Sequence, residues 1–536
     1  MKKILILIVL IAAVLRFYNL GTNPPSLTWD EAAWGYNSYS LGIDGKDEFG
    51  RFLPHDYMES FGDFKPPMYA YLGIIPVKIF GLNEFSTRFP SASFGTLTVL
   101  ITYFLTKRLF FNYKLKEYTA LAAAFMLAIS PWHIMLSRAA FEANIATLFI
   151  ILGVWLFLIS IERNSTFLIL SVISFILSIY TFNSARVAAP LLLIILSLVN
   201  FKKLLKDKKI LAISVLVGFL LILPTAKFLL SPQASLRFKE VNIFSDIELI
   251  KVNNQEIAND GSNVLSKFIH NRRFVYVREF LSHYFDNLNP DFLFIKGDGN
   301  PKFATGDTGQ MYIWEFPFFV AGLIFVTKNK GKNWWIVPAW LFIGIIPAAF
   351  ARETPHALRI EGTLPTWQIF TAVGLVIFIS SIKKYKKLAV GILSFIILIN
   401  FAYFWHGYFV HYPKEFSSEW QYGYKESISY VENQKQQYDR IYFTNYLGRA
   451  YIYKLFYTQS DPETFREQSK VTRDGFGFVH VDRIEKYSIM DNLPNKVAKR
   501  EKALYINDPS KVPQNAKIVK TFYQLNGKAV FTAYTL

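Results

Sequence analysis

The sequence predicts an α-helical polytopic membrane protein of about eleven transmembrane helices, N-terminus inside and C-terminus outside, carrying a small extracytoplasmic α/β domain. Its composition, the spacing of its apolar runs and the placement of its lysines predict this. Over 536 residues, 52% hydrophobic and 18% charged content with a mean hydropathy of +0.24 excludes a disordered, collagen-like or small disulfide-stapled chain. There is no cysteine, hence no disulfide, thiolate metal site or cysteine nucleophile, and the redox compartment stays open. A net charge of +18 suggests nucleic acid until the lysines are located. They sit between the hydrophobic stretches.

A bilayer core of about 30 Å needs roughly 20 apolar residues per helix. Candidate runs fall near 4–20, 90–106, 118–136, 141–161, 166–182, 187–201, 210–230, 315–327, 333–350, 366–382 and 388–405. The first follows Lys2 and Lys3 as a signal peptide would, but Arg16-Phe17-Tyr18 offers no small-residue cleavage site, so it reads as an uncleaved helix. With the N-terminus inside, every alternate loop is basic: Lys107, Arg108, Lys114 and Lys116; Arg163; Lys202, Lys203, Lys206, Lys208 and Lys209; Lys328, Lys330 and Lys332; Lys383, Lys384, Lys386 and Lys387. That bias sets orientation. The outer side then holds loops of about 21–89 and 231–314, and the domains divide as a membrane part over 1–405 and an α/β part over 406–536. The latter reads as a helix near 419–437, strands at Asp439–Phe443 and Ala503–Ile506, and a final hairpin with a two-residue turn at Asn526-Gly527. The sequon Asn164-Ser165-Thr166 falls inside and carries no weight.

The outer loops should be poor in positive charge, yet they hold Lys65, Arg138, Arg186, Arg352 and Arg359, beside Asp30, Glu31, Asp63, Glu142, Glu353 and Glu361. Ionisable groups at a bilayer boundary are costly unless paired or hydrated, and they tend to face a cavity. Both signs together suggest a site for an anionic lipid headgroup, with acids available for base chemistry. Each residue also has a plainer reading. Thr28-x-x-Glu31 is a capping box, and Asp30 complements the helix dipole. The helix from Ala32 to Leu41 should lie flat, its Trp34, Tyr36 and Tyr39 suited to the interface. Lys65 in Asp63-Phe64-Lys65-Pro66-Pro67 is either a snorkelling lysine or an ammonium aimed at a phosphate. Arg138 and Glu142 are spaced i,i+4, as in a helix-surface ion pair, though in the less favourable order. His133 is weak evidence alone. Arg186, and Arg359 with His356 in the stretch Arg352–Arg359, mark two more outer turns, and arginine suits bidentate phosphate recognition.

The early Asp30-Glu31 pair, the late Lys65-Pro66-Pro67 and the Arg138/Glu142 pair after the third span resemble the GT-C membrane glycosyltransferases. Within these the chain resembles protein O-mannosyltransferases and the ArnT-like aminoarabinose transferases of lipid A, in glycosyltransferase family 39. The likeness is specific over roughly 1–190, looser to 410 and architectural in the tail. It implies a GT-C fold and transfer of a sugar from a polyprenyl-phosphate donor to a hydroxyl of a protein, lipid or glycan outside the cytoplasm. Asp30 would be the base, Glu31 its support, Lys65 and Arg138 the holders of the donor phosphate, and Glu142 a second acid. Arg186, His356 and Arg359 are added as substrate-binding candidates from the composition of the outer turns. No cofactor is required. A divalent metal would need Asp30, Glu31, Asp63 and Glu142 to converge, and Phe64, which separates Asp63 from Lys65 where the aminoarabinose transferases have Glu-Lys-Pro, weakens that role for Asp63. The leaving phosphate monoester has a second pKa of about 6, so the reaction asks for countercharge more than for a general acid. One-step displacement predicts an inverted sugar. The competing reading is a flippase or transporter of a lipid-linked substrate, against which stand the lack of a hydropathy repeat and the gathering of ionisable groups on one side; a third is a scaffold with structural charges.

Overall fold

The computed structural model describes residues 1–231, 234, 242–329, 331–475, 478–494 and 501–536. Lys330 and part of the 231–314 loop lie outside the described residues. All eleven apolar runs are helical: Lys2–Phe17, Glu84–Leu109, Lys116–Ile129, Glu142–Glu162, Phe167–Ile179, Ala185–Val199, Lys208–Leu229, Phe316–Lys328, Ile336–Ala349, Thr366–Ser381 and Lys386–His406. Among the described residues, four helical stretches are long and apolar enough to cross a bilayer alone: Glu84–Leu109, Glu142–Glu162, Phe201–Leu229 and Lys386–Glu415. The run read as one span over 118–136 is bent by 55° between Lys116–Ile129 and Pro131–Arg138. Pro131 has no N–H to donate, and it pushes Ser130 out of the helical region to φ −58°, ψ 125°.

The chain forms two compact units. The first comprises Met1–Leu15, Phe94–Leu136 and Glu142–Phe404. Its helices pack closely where glycines meet: a methyl on Gly322 would lie 1.8 Å from the Phe370 carbonyl oxygen, and one on Gly374 2.0 Å from that of Phe318. The residues after helix Ile336–Ala349 are tied to the 283–300 stretch. Asn287 Oδ1 accepts from His356 N–H at 3.0 Å, and Asp298 accepts from Ala357 N–H at 2.7 Å.

The second unit comprises Arg16–Ser93, Ser137–Phe141 and Trp405–Leu536. Helix Trp29–Asp44, the hairpin β1 (Met58–Ser60) and β2 (Asp63–Lys65), and helix Met68–Phe80 come from the first loop. Among the described residues the tail adds a seven-stranded sheet of β3 (Arg440–Thr444), β4 (Lys470–Arg473), β5 (Val479–Ile484), β6 (Tyr487–Met490), β7 (Ala503–Asn507), β8 (Lys517–Tyr523) and β9 (Ala529–Thr535), in the order β4-β5-β6-β3-β7-β9-β8. β3 runs parallel to β6 and β7, and the other pairs are antiparallel. Loop and tail share one core: Leu27, Ala33, Tyr36 and Phe61 join Ile441, Phe443, Leu504 and Phe531. The Tyr453 hydroxyl donates to the Leu27 carbonyl at 3.0 Å, and Val479 N–H to that of Phe61 at 3.1 Å.

Two expectations for the tail are corrected. The helix near 419–437 is shorter, Tyr424–Gln434 with a 3-10 turn at Lys435–Gln437. The last hairpin turns through three residues, Leu525, Asn526 and Gly527: Gly527 N–H donates to Gln524 O at 2.9 Å, and Gln524 N–H to Lys528 O at 2.8 Å. Gly527 at φ 84° is the left-handed residue that closes such a turn.

Candidate active site

Asp30 and Lys65 are presented by two short rigid pieces of the second unit. The capping box forms as read: Thr28 Oγ1 accepts from Glu31 N–H at 3.2 Å, and Glu31 Oε2 from Thr28 N–H at 3.0 Å. Asp30 therefore sits in the first helical turn, its side chain 47% exposed. Lys65 ends β2, opposite Met58, beyond a turn in which Phe61 (φ 64°) and Gly62 (φ 85°) are both left-handed, as a tight hairpin requires. Pro66 and Pro67 then fix the exit, with Pro67 capping helix Met68–Phe80.

The Lys65 ammonium is ion-paired with Asp30 Oδ1 and lies 5.4 Å and 5.5 Å from the Trp34 and Phe61 ring centres. A snorkelling lysine keeps its ammonium in water. This side chain is 10% exposed and is turned onto a carboxylate.

Glu31 has a different part. It is fully buried, and its two oxygens accept four hydrogen bonds: from Thr28 N–H, from Arg88 Nε at 2.8 Å and Nη2 at 3.2 Å, and from Ala140 N–H at 2.9 Å. Arg88, also fully buried, donates further to the carbonyls of Leu20 (3.1 Å) and Pro24 (2.8 Å). This cluster locks the N-terminus of the Asp30 helix to the chain on both sides of it. Arg88 was invisible to the sequence reading because its partner is 57 residues away. The signal that would have found it is an arginine at the mouth of an apolar run.

Arg138 is buried as well, donating to the carbonyls of Arg16 (3.2 Å) and Asn23 (2.8 Å), with its guanidinium 5.0 Å from the Phe409 ring and 5.6 Å from that of Tyr408. It closes helix Pro131–Arg138, whereas Glu142 opens helix Glu142–Glu162. The two therefore stand on different helices.

Glu142, Arg186, His356 and Arg359 belong to the first unit. The Arg186 guanidinium lies 5.5 Å from the Phe228 ring. Arg359 donates to the Glu353 carbonyl at 2.8 Å and helps line a narrow cleft with Ala143, Thr147, Ser184 and Gly362. The His356 ring packs 5.0 Å from Phe303, and burial, then the Arg359 charge, lowers its pKa to about 3, so it is neutral at neutral pH. Burial raises Asp298 nearby to about 6. Glu361 is fully buried, and burial followed by the charge of Glu142 holds its carboxyl well above the usual range.

Among the described residues no three His, Asp or Glu side chains gather where a cation could be held. Asp63 begins β2, opposite Ser60, and Glu31 is taken up by Arg88. A second acid does lie behind Lys65. Glu48 is fully buried, accompanied by Asn37 and Ser60; its N–H donates to Asn37 Oδ1 at 2.9 Å. Burial raises its carboxyl to about 8, against the lowering influence of Lys65.

The family model described as dolichyl-phosphate-mannose-protein mannosyltransferase matches residues 64–228. An uncharacterized protein of Aquifex aeolicus (strain VF5) is 31% identical over 193 residues, 35% of this chain and 36% of its own. A second from the same strain is 33% identical over 141 residues, 24% of this chain and 32% of its own. The matches thus span about a third of these relatives' length. Crystal structures of ArnT from Cupriavidus metallidurans share the fold nearly end to end. The apo form matches at TM-score 0.56 and 13% identity, over 99% of this chain and 98% of that one. The form bound to undecaprenyl phosphate matches at 0.57 and 14%, over 98% and 97%. At that identity the likeness is one of fold: the chain has the fold of ArnT from one end to the other.

Proposed function

We propose that this protein moves a sugar from a polyprenyl-phosphate donor to a hydroxyl acceptor on a protein, lipid or glycan, at the outer face of the cell membrane, with inversion at the anomeric carbon. The chain would be multi-pass, N-terminus inside, with the second unit facing out. The observation that carries the reading is the Asp30–Lys65 pair: a half-exposed carboxylate held on a capped helix beside an ammonium that is largely withdrawn from water. The family match over 64–228 and the undecaprenyl phosphate bound to ArnT supply the donor class.

In this mechanism the acceptor hydroxyl approaches Asp30, which takes its proton as the hydroxyl oxygen attacks the anomeric carbon. The bond to the donor phosphate breaks on the opposite side, and Lys65 turns toward the phosphate oxygen on which charge grows. Glu31 acts through Arg88 by holding the helix that carries Asp30, and Arg138 braces the segment between Arg16 and Asn23. Glu142 remains the candidate second acid and Arg186, Arg359 and His356 the substrate-binding candidates, His356, being neutral, as a hydrogen-bonding group only.

The test is transfer of radiolabelled sugar from a panel of polyprenyl-phosphate sugars by purified wild type, Asp30→Asn and Lys65→Ala. Loss of a base should lower turnover by about 10²–10⁴-fold. Lys65→Ala should impair donor use more than acceptor use. Unchanged transfer by Asp30→Asn would overturn the assignment, and donor crossing vesicles without product would favour a flippase.

A further inference from the structure

Within the first unit, the stretch from Val264 to Asp286 carries eight large apolar side chains that are exposed. Val264, Leu265, Phe268 and Ile269 lie on helix Val264–Ile269, and Phe274, Val277, Leu281 and Phe285 on helix Arg272–Asp286, all between 46% and 86% exposed. Scattered single exposures are ordinary on soluble proteins, whereas a contiguous run marks a binding surface. At about 100° per residue, Phe274, Val277, Leu281 and Phe285 fall within roughly 80° of one another, forming a single stripe.

The opposite side of the same helix is already occupied. Val275 and His283 are buried; His283 Nδ1 lies 2.8 Å from the Ala351 carbonyl, and Phe280 packs 4.7 Å from Phe350. The exposed stripe is therefore a second apolar face, which the core does not explain. Two features identify what covers it. The Tyr284 hydroxyl donates to the Phe342 carbonyl at 2.9 Å, so the helix runs beside the apolar helix Ile336–Ala349, where Phe342 is itself exposed. The stripe thus continues a surface of membrane-helix character. Exposed Lys267, Arg273 and Arg278 lie beside it and exposed Arg272 opens the second helix, against two acids, Glu279 and Asp286. Cations beside an apolar face fit a bilayer with anionic headgroups.

We propose that these two helices, which the sequence places in the outer loop of about 231–314, seat their apolar stripe in the headgroup–acyl boundary of the bilayer, with the four cations among the lipid phosphates. This surface is independent of the sugar-transfer reading.

The absence of cysteine makes the experiment clean. Single variants Phe274→Cys, Val277→Cys, Leu281→Cys and Phe285→Cys, with Ser282→Cys as the off-stripe control, would be nitroxide-labelled and placed in nanodiscs of phosphatidylcholine with phosphatidylglycerol. Relaxation by oxygen, which concentrates in lipid, and by a water-soluble nickel chelate would be read at each site. The stripe sites should show an oxygen-to-nickel ratio several-fold above Ser282→Cys, rising with the phosphatidylglycerol fraction. Arg272→Glu with Arg273→Glu should remove the dependence on phosphatidylglycerol. Free nickel access along the stripe would overturn the proposal in favour of an aqueous loop. Shielding from both reagents with spin–spin broadening would overturn it in favour of a second copy of the chain. A variant that does not yield monodisperse protein is replaced by its neighbour on the stripe, since four positions report one surface.

Discussion

Glu31 and Asp30 are adjacent yet do different work, and the difference lies in their partners. Every acceptor direction of Glu31 is filled, two of them by a buried guanidinium. Breaking a buried pair from one side leaves an uncompensated charge, at about 3–5 kcal/mol. Arg88→Met should therefore lower the unfolding temperature markedly, while Glu31→Gln with Arg88→Met together should recover part of the loss; equal losses in thermal unfolding would remove the pair from the account. Glu48 gives a pH signature. In the folded chain it holds its proton to about pH 8, whereas its ordinary pKa is 4.5. Above 4.5 the unfolded state binds fewer protons, so this group lowers stability as pH rises to about 8, by at most a few kcal/mol. Glu48→Gln carries no such proton and should unfold with a shallower pH slope between 5 and 8. Parallel slopes would show that the carboxyl is ionised in the fold.

The helices were legible because a membrane demands long apolar runs, and all eleven runs are helical, one of them as two helices. A turn from Pro131 was legible, but hydropathy carried the third span past it to 136, because hydropathy ignores the missing N–H that goes with the 55° bend there. In the tail, β3, β7 and the last hairpin were visible as alternating or aromatic-rich segments. Missed were β4, whose Lys-Val-Thr-Arg is exposed throughout, β5, whose charged Asp482 and Arg483 interrupt its apolar residues, and the four-residue β6, which is held between β5 and β3. Asp30 and Lys65 were legible as motifs; Arg88 and Glu48 were not, since what gives them meaning is a distant neighbour. At this scale packing makes one further prediction. Gly374→Ala would drive a methyl to 2.0 Å from the Phe318 carbonyl oxygen, between backbones that cannot yield as a flexible side chain does. A destabilisation of about 1–3 kcal/mol is expected. Thermal unfolding in detergent checks it, and a Tm equal to wild type would mean the helices separate freely.

Across the whole molecule, the first loop and the tail share a core, so the tail supports the loop that carries Asp30 and Lys65. Deleting the residues after Glu415 strips cover from Leu27, Tyr36 and Phe61. Such a protein should lose sugar transfer, and its first loop should be cut rapidly by trypsin at Arg51 or Lys78. Full activity after the deletion would show that the loop folds by itself.

The second unit is assembled from segments far apart in the chain. Synthesis at about 5–20 residues per second makes the Arg16–Ser93 segment wait, with roughly 300 residues still to come, some 15–60 s before Trp405 and its successors emerge. During that interval Leu27, Tyr36 and Phe61 have no partner from the tail, and the Asp30–Lys65 pair stands on an unfinished scaffold. A nascent chain stalled before Trp405 is thus a natural client for chaperones, and quality control would meet the Asp30–Lys65 loop long before its scaffold is complete.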